Sequence, residues 1–489
     1  MTLSVNVRLY AIIVAAAALF TSSGVAGAQA AGGAVGTGSA PAGAPATASV
    51  APAETVNLSQ VLDAARASAP GLRLAQVALA SARAQLAQAQ ATNGLSLSGK
   101  ADYAHQGTVP GTTVATSASP TTAENLGGGL SLSGPATSVG LTASHAIGES
   151  NPADQVSGLS LSASQTVFDG YPKGRASASV QQAEDTYRIA QVTYDASVKN
   201  VLYQAQQDYY TLLGDQHTVG LRQATVSQAE ENVAYYQGLL QAQRATSLEV
   251  LQVQVTLTQA QLDLRTAQNT VAVDRKKLSL AVGWALERQY TVADAASPPL
   301  PSLDESRALT TAYQNRSELR TLQLNLHSAG IALALQKTQA LPVVSVNGTL
   351  SLGKDWTASV TTGSFTAGVS VAMPVIDGGL AGAEVEQASQ QLSSLGLQQD
   401  QERQSITIDV QNALFGVKDA KDRLDLAGDN LRQAQGQYDL EKAKFAVGLE
   451  TTLDVLTAFS ALTTAQVGLE QARSTYILAI LTLNNVMGL

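Results

Sequence analysis

The feature that most constrains this chain is an internal repeat. Apolar residues near position 250 recur near position 455, with a spacing of seven residues in both places. The matching positions are Val250, Leu257, Leu264, Val271 and Leu278 in the first half, and Val455, Leu462, Leu469, Tyr476 and Leu483 in the second. Because a phase kept over so many positions rarely arises by chance, we interpret the chain as two copies of one structural unit.

Each copy is predicted to contain one very long helix. The segments from about residue 174 to 244 and from about residue 380 to 445 contain no proline, and apolar residues recur every seven positions along both. Small residues such as Ala413 and Ala420 occupy the companion positions. This pattern is typical of helices that pack closely as coiled coils. At about 1.5 Å per residue each helix extends on the order of 100 Å, which is longer than a globular domain requires.

Segments that alternate apolar and small polar residues precede the long helices. They lie around residues 95–103, 159–167, 344–352 and 365–373. Alternation over about ten residues is typical of a strand with one face in lipid and the other in water, and a two-faced soluble sheet is the alternative. The region 104–154 is interpreted as an enlarged loop between the first two strands, with additional strands at 130–133 and 139–144 as the alternative.

The N-terminus predicts export. Arg8 precedes an apolar run from Leu9 to Phe20, and small residues follow it up to Ala28. This arrangement predicts a signal peptide at 1–28, and a single membrane anchor is the alternative, although the apolar run is short for a span of about 20 residues. The Ala-, Gly- and Pro-rich residues after it predict a flexible leader at 29–53. The two copies of the repeat are then expected at 54–290 and 303–489, with a Pro-rich joint between them.

Composition excludes several kinds of function. A formal net charge of −9 offers no general basic surface, so nucleic acid is not expected as a partner. The chain has no Cys, which excludes disulfides and thiolate metal sites. The histidines His105, His145, His217 and His327 lack metal-ligand spacing. No phosphate-binding loop or catalytic constellation is found, so we expect the protein not to be an enzyme and to need no cofactor.

The repeat occurs together with two motifs, a strand exit at 374–379 and a helix turn at 445–456, and the combination resembles the TolC-like outer-membrane efflux channel family. The resemblance spans from about Asn57 to Leu489. It implies an α+β membrane protein that forms a homotrimer. Each repeat contributes a β-hairpin to a trimeric 12-stranded outer-membrane β-barrel, and the long coiled-coil helices form a periplasmic α-helical barrel.

The same resemblance implies a location, partners and a function. The protein is expected in the cell outer membrane, surrounded by outer-membrane lipid, with a long periplasmic extension that meets a periplasmic adaptor and an inner-membrane pump. Its function is then that of a passive duct that exports small toxic compounds in a tripartite efflux system. The sequence leaves two alternatives, which are the exit of a type I protein secretion system and a trimeric coiled-coil structural protein without a pore.

Function is expected at the turn between the long helices of each half. Glu249 and Asp454 occupy equivalent positions in the repeat, so a trimer would bring six carboxylates near one level as an anionic pore constriction. The alternative interpretation is structural. Thr246 and Thr451 stand three residues before these carboxylates, and this spacing is that of a capping box, which only starts the following helix.

The resemblance also implies a docking surface for the adaptor and pump at these turns. The residues that match the family's pattern are Arg244, Thr246, Val447, Gly448, Leu449 and Thr451. For Gly448 a helix C-terminal cap is the alternative role. The sequence departs from the family's pattern at Glu450, where an arginine is expected, and at Thr457, where a second aspartate is expected.

Overall fold

A computed structural model describes residues 54–106, 123–148, 155–172, 174–355, 359–447 and 449–489. The predicted signal peptide and leader lie outside the described residues. The chain divides into two compact units, a sheet unit within 91–174 and 340–375 and a helical unit formed by the remaining described segments. These units cut across the two repeats, so the repeat boundaries at 54–290 and 303–489 stay predictions.

The elements of the two halves share the order of two helices, a strand region and two long helices, and the first half adds two short strands and a second pair of longer strands. In the first half they are β1 (Glu54–Val56), α1 (Leu58–Ser68), α2 (Pro70–Thr92), β2 (Ser96–Gln106), β3 (Ala123–Ser133), β4 (Thr137–Gly148), β5 (Gln155–Phe168), α3 (Arg175–Gln241), α4 (Ser247–Val282) and β6 (Tyr290–Val292). In the second they are α5 (Glu305–Asn315), α6 (Ser317–Lys337), β7 (Val343–Asp355), β8 (Val360–Ala372), α7 (Leu380–Ala446) and α8 (Thr452–Val486).

The long helices confirm the predicted repeat. Helices α3 and α7 are both 67 residues long, and each is followed after a short turn by a second helix of 36 or 35 residues. Within the seam predicted for α7, Val410, Val417 and Ala420 are buried. Along α3 the seam is buried at Ala205 and Leu212. The long helices are therefore held by side-chain packing along one stripe rather than by helix propensity alone.

One core of the helical unit encloses a short parallel ladder between β1 and β6. Tyr209 and Tyr290 are completely buried there. The Tyr209 hydroxyl donates to the Ala293 carbonyl at 2.6 Å, and the Tyr290 hydroxyl donates to the Arg275 carbonyl at 2.8 Å. These bonds satisfy the polar ends of two large buried rings, so the core joins the beginning and the end of the first repeat without an orphaned hydroxyl.

A second core lies where α7 and α8 meet α5 and α6. Ile406 and Val410 of α7 pack with Ile480 and Leu483 of α8 in a cluster that also contains Ala308 and Ala312 of α5. Small residues on the short helix allow its backbone to approach the long helices closely. The second repeat therefore has its own hydrophobic core, as expected of a duplicated unit.

The sheet has six antiparallel strands in the order β2-β3-β4-β5-β7-β8. The predicted fold class is confirmed, with one correction to the number of strands that each chain supplies. The region 104–154 was expected to be a loop, but its alternative interpretation is the one observed, because β3 and β4 pair with each other and with β2 and β5. A chain with this sheet supplies six strands rather than the four that a 12-stranded trimeric barrel requires.

The two faces of the sheet have different chemistry. One row across neighbouring strands is apolar and consists of Leu130, Leu141, Leu161, Leu350 and Phe365. The row beside it on the other face is small and mostly polar, and consists of Ser98, Ser131, Gly140, Ser162, Thr349 and Thr366. The apolar side chains are 40 to 74% exposed, which leaves a broad hydrophobic face uncovered within this chain.

None of the helices in the described part of the chain combines the length and the hydropathy that a membrane-spanning helix needs.

Candidate functional site at the two helix turns

The first turn joins α3 to α4, and the chain reverses direction in it immediately after α3 ends. The Arg244 amide donates to the Leu239 carbonyl at 2.7 Å, and the Gln243 amide donates to the Leu240 carbonyl at 2.9 Å. Gln243 adopts a φ of 57°, which is the left-handed conformation that closes many helix ends. The side chains of Gln243 and Arg244 are exposed, so this turn presents polar groups to its surroundings.

Thr246 and Glu249 form a capping box at the start of α4. The Thr246 amide donates to Glu249 Oε2 at 2.7 Å, and the Glu249 amide donates to Thr246 Oγ1 at 3.3 Å. The other carboxylate oxygen, Oε1, accepts a hydrogen bond of 2.7 Å from the Thr452 hydroxyl. The Thr246 amide, with the Thr452 and Thr246 hydroxyls, holds the pKa of Glu249 below its ordinary value. Both oxygens of this carboxylate are therefore engaged.

Thr452 connects the two halves at this point. It is the first residue of α8, is 3% exposed, and also interacts with the Tyr236 hydroxyl of α3. The ring of Tyr236 packs against Phe445 of α7, with 5.7 Å between centroids. Sequence analysis missed Thr452. The signal was the second threonine of Thr451-Thr452, which follows the cap residue and points back toward the neighbouring helices.

The second turn joins α7 to α8 and repeats the capping box. The amide and hydroxyl of Thr451 both donate to Asp454 Oδ2, and the Asp454 amide donates to Thr451 Oγ1 at 3.4 Å. These bonds, with the Thr451 hydroxyl contributing most, lower the pKa of Asp454. Because Oδ2 takes both Thr451 bonds, Asp454 differs from Glu249, whose two oxygens bind different partners.

A lysine at the second turn forms ion pairs with two glutamates. Lys444 Nζ lies 3.1 Å from Glu450 Oε1 and 3.2 Å from Glu441 Oε1, and these carboxylates raise the pKa of Lys444, Glu450 most. An arginine was expected at position 450, and the Glu450 found there is paired with a lysine of its own turn. Thr457, where a second aspartate was expected, is exposed and donates to the Leu453 carbonyl at 2.8 Å.

The predicted docking residues lie on the surface of the two turns. Val447 and Leu449 are 71% and 74% exposed, and Arg244, Thr246 and Thr451 are exposed as well. Gly448 lies outside the described residues, so its predicted roles stay predictions. The Leu449 amide donates to the Lys444 carbonyl at 3.0 Å, which is the same offset of five residues as in the first turn. The second turn therefore presents apolar side chains where the first presents polar ones.

A groove of about 970 Å³ runs beside the turns between α4, α7 and α8. Leu248 and Leu453, which are equivalent in the repeat, line it and are 63% and 59% exposed. Gln433 and Gln437 of α7 form part of its polar wall. Its lining of exposed leucines and amides suits a protein surface that meets another polypeptide better than a closed small-molecule pocket.

The histidines form ordinary polar contacts. His145 Nδ1 lies 2.8 Å from Ser157 Oγ, His217 Nε2 lies 2.8 Å from Asp294, and His327 Nδ1 lies 2.6 Å from Asp185. The side chain of His105 lies outside the described residues. In the part of the chain that the structure covers, no three His, Asp or Glu side chains are grouped so that they could hold a metal ion.

Comparison with known proteins gives consistent matches. The model of the family described as outer membrane efflux protein matches residues 61–284 and 308–489. The outer membrane efflux protein BepC of Brucella suis is 24% identical over 339 residues, covering 68% of this chain and 72% of that protein. The toluene efflux pump outer membrane protein TtgC of Pseudomonas putida is 22% identical over 330 residues, covering 64% and 66%. The crystal structure of the Campylobacter jejuni CmeC outer membrane channel superimposes with a TM-score of 0.66 at 16% identity, covering 88% and 85%.

Proposed function

Because the chain belongs to the outer membrane efflux protein family, we propose that three copies of it assemble into a passive duct through which small toxic compounds leave the cell. The family assignment confirms the predicted resemblance, the outer-membrane location with a long periplasmic extension, and the prediction that the protein is a channel component rather than an enzyme. Family members act in efflux systems together with an adaptor and a pump.

The observation that carries the proposal is the two-faced sheet. Its apolar rows suit contact with outer-membrane lipid, and its Ser-, Thr- and Gly-rich face suits a water-filled lumen. The strands are 11 to 14 residues long, and a tilted strand needs about 9 to 11 residues to cross a bilayer. A coiled-coil structural protein has no use for such a sheet, so this alternative loses its support.

The turns supply the constriction and the docking surface. Asp454 is the better candidate for an anionic ring, because Thr451 uses only one of its oxygens and its other side-chain partner, Glu450, belongs to the same turn. Glu249 has both oxygens engaged, so its main role is to fasten α4 to α8. The adaptor and pump meet the exposed side chains of Arg244, Thr246, Val447, Leu449 and Thr451, with the leucine-lined groove alongside. Gly448, which follows Val447 in the sequence, is proposed as part of the same docking surface.

Relatives named for antibiotic and toluene efflux favour small molecules over proteins as the exported material. The alternative of type I protein secretion has no comparable support from the relatives' names. The charges at the turns fit this assignment, because a narrow opening lined by carboxylates admits solutes by size and charge. The choice among small molecules is left to the pump.

The experiment that tests the proposal begins with the mature protein in its native membrane. We expect it in the outer-membrane fraction, and we expect a trimer by native mass after extraction in mild detergent. Reconstituted in planar bilayers, it should conduct ions, and divalent cations should reduce the current. Asp454→Ala should weaken that block more than Glu249→Ala does. A monomer, or a protein that passes no current, would contradict the proposal.

A further inference from the structure

The sheet of this chain has two edges, β2 on one side and β8 on the other. Successive strands alternate in direction, and six is an even number, so β8 of one copy runs antiparallel to β2 of another copy placed beside it. A second copy can therefore extend the antiparallel sheet of the first by pairing its β2 with β8. Pairing of this kind removes edges that would otherwise invite aggregation.

We propose that three copies close into a barrel of eighteen strands through contacts between β8 of one copy and β2 of the next. The β3–β4 hairpin is then part of the barrel wall. This proposal rests on the proposed trimeric duct. The count follows from three copies of a six-stranded sheet. The proposal concerns an interaction surface, the two sheet edges, whose partner is a second copy of this chain.

The hairpin is built as wall rather than as loop. Strand β3 pairs with β2 along its whole length, from Ser96 opposite Ser133 to Gln106 opposite Ala123, without a register shift. Strand β4 pairs equally regularly with β5, from Thr137 opposite Gln165 to Ile147 opposite Gln155. A hairpin folded back over the barrel mouth would have no reason to match two neighbours over this length.

The face chemistry of the hairpin also continues that of the sheet. Leu130 and Leu141 stand in the same apolar row as Leu161 and Leu350 of the neighbouring strands. On the other face, Ser98 Oγ lies 2.7 Å from Ser131 Oγ, and Thr142 Oγ1 lies 3.1 Å from Ser160 Oγ. A shift by one residue would exchange these faces, so the register places the hairpin in the same lipid and water environments as the other strands.

Apolar side chains on the two edge strands are more exposed than those on the inner strands, as expected where a neighbouring strand is missing. Leucines of the apolar row on inner strands are 40 to 46% exposed, whereas Phe365 and Val369 on β8 are 74% and 68% exposed and Leu97 on β2 is 71% exposed. A strand from another copy beside each edge would cover these side chains to the level seen inside the sheet.

The consequence is a wider outer end. Barrel diameter grows roughly in proportion to strand number, so eighteen strands enclose a lumen about 1.5 times as wide as twelve. The hairpin would then determine how large a solute can occupy the outer part of the duct, independently of the constriction at the helix turns.

Engineered cysteines test this arrangement without background, because the chain contains no native Cys. Ser98→Cys with Ser131→Cys reports β2 beside β3, and Thr142→Cys with Ser160→Cys reports β4 beside β5. The matched control is Ser98→Cys with Ser162→Cys. These residues lie in one row but three strands apart, about 14 Å, and they would become neighbours only if β2 paired directly with β5. Oxidation in outer-membrane vesicles is followed by counting the remaining thiols by mass spectrometry.

A second set of variants tests the edges. Ser98→Cys on β2 is combined in turn with Ser364→Cys, Thr366→Cys and Ser370→Cys on β8, all on the polar face. We expect one combination to give covalent trimers on a denaturing gel, and each single variant to give none. We also expect loss of thiols in the β2–β3 and β4–β5 pairs, with the control pair remaining reduced.

The outcomes separate the two proposals. If the control pair cross-links while the β2–β3 and β4–β5 pairs stay reduced in a trimeric outer-membrane protein, the hairpin lies outside the wall. The eighteen-strand proposal then fails and the duct stands. If trimers form but no β2–β8 combination links the chains, the closure is also overturned. If the protein is not trimeric in the outer membrane, the proposed function itself fails.

Discussion

The two halves of the helical unit share a backbone plan but differ in where they place polar groups. The long helices have equal length and are 205 positions apart, so each residue of α3 has a counterpart in α7. At the turns the carboxylates Glu249 and Asp454 are equivalent, yet only Glu249 receives a hydrogen bond from the other half among the described residues. The two halves thus share their packing geometry, whereas the polar contacts at their turns differ.

The middle of the helix pairs shows the same divergence more strongly. Asp215 of α3 and Asp274 of α4 lie close together in the first half, and their counterparts in the second half are Ala420 and Ala479. Asp274 is 6% exposed and is paired with Lys277 at 2.6 Å. Burial, with neighbouring Asp274, raises the pKa of Asp215 to about 7, and Asp215 Oδ2 has no hydrogen-bond partner among the described residues. The first half therefore carries an electrostatic cost that the second half avoids with alanine.

Thr452→Val gives the largest expected effect, because it breaks the contact that distinguishes the two turns. Valine keeps the shape of this buried residue but leaves Glu249 Oε1 without its 2.7 Å hydrogen bond. A hydrogen bond to a charged group contributes about 1.5–3 kcal/mol, and the partial exposure of Glu249 lowers the expected loss to about 1–2 kcal/mol. We expect a lower melting temperature in detergent and a larger open fraction in single-channel records.

The matched control is Ser247→Ala, at the equivalent but exposed position of the first turn. This change should leave both the melting temperature and the open fraction close to those of the unmodified protein. Equal effects of the two variants would mean that the turns are fastened in the same way, and the difference drawn between them would be lost.

Asp215→Asn tests the cost of the acidic pair. The pKa of Asp215 in the folded protein, about 7, lies above the ordinary aspartate value of 3.8. The folded state therefore binds an extra proton between these values, and stability falls as pH rises through this window. Because Asp215 is only half-buried, screening reduces the effect to about 1–2 kcal/mol. We expect the variant to melt higher than the unmodified protein at pH 8 and to match it near pH 4.

Asp195→Asn is the control for this prediction, since Asp195 is an exposed aspartate on the same helix. It should not change how the melting temperature depends on pH. If Asp215→Asn lowers stability at pH 8, the carboxylate is serving a favourable contact, and the first half does not carry the cost inferred here.

Much of this architecture was accessible from sequence because it depends on local periodicity. The seven-residue spacing without proline predicted the long helices, and Thr-x-x-Glu and Thr-x-x-Asp predicted both capping boxes. The region 104–154 was interpreted as a loop because it is rich in Gly, Ser and Thr, and only short strand-like pieces at 130–133 and 139–144 indicated the β3–β4 hairpin. Its identity as wall depends on pairing with β2 and β5, which no local pattern encodes.

The contacts that distinguish the halves could not be predicted for a similar reason. Thr452 and Glu249 are 203 positions apart, and Asp215 and Asp274 meet only when α3 packs on α4. Such contacts depend on the rotation of each helix about its axis, which a seven-residue repeat defines only approximately. Sequence therefore located the candidate site at the turns but could not rank its two carboxylates.

Removing the cap threonines compares the capping boxes directly. Thr246→Ala and Thr451→Ala should each cost about 1 kcal/mol, with the larger loss at Thr246, because Glu249 also fastens the second half. The pKa values of Glu249 and Asp454 are both lowered, so these carboxylates contribute stability above their ordinary pKa values and lose it as pH falls through the lowered ones. The deficit of both variants should shrink in acid, as measured by melting temperature between pH 7 and pH 3. A deficit that does not depend on pH would show that the carboxylates take no part.

Gln243→Gly gives the smallest expected effect and probes the backbone of the first turn. Gln243 holds a φ of 57°, a conformation that costs a residue with a Cβ about 1 kcal/mol and that glycine adopts freely. Its counterpart in the second half is Gly448, so the substitution makes the two turns alike at this position. We expect the melting temperature to rise slightly, by the equivalent of about 0.5 kcal/mol once the greater freedom of glycine in the unfolded chain is subtracted. Gln243→Ala removes the same side chain without relieving the backbone, so it should give no gain. Equal behaviour of the two variants would mean that the amide side chain, rather than the backbone, decides the stability of this turn.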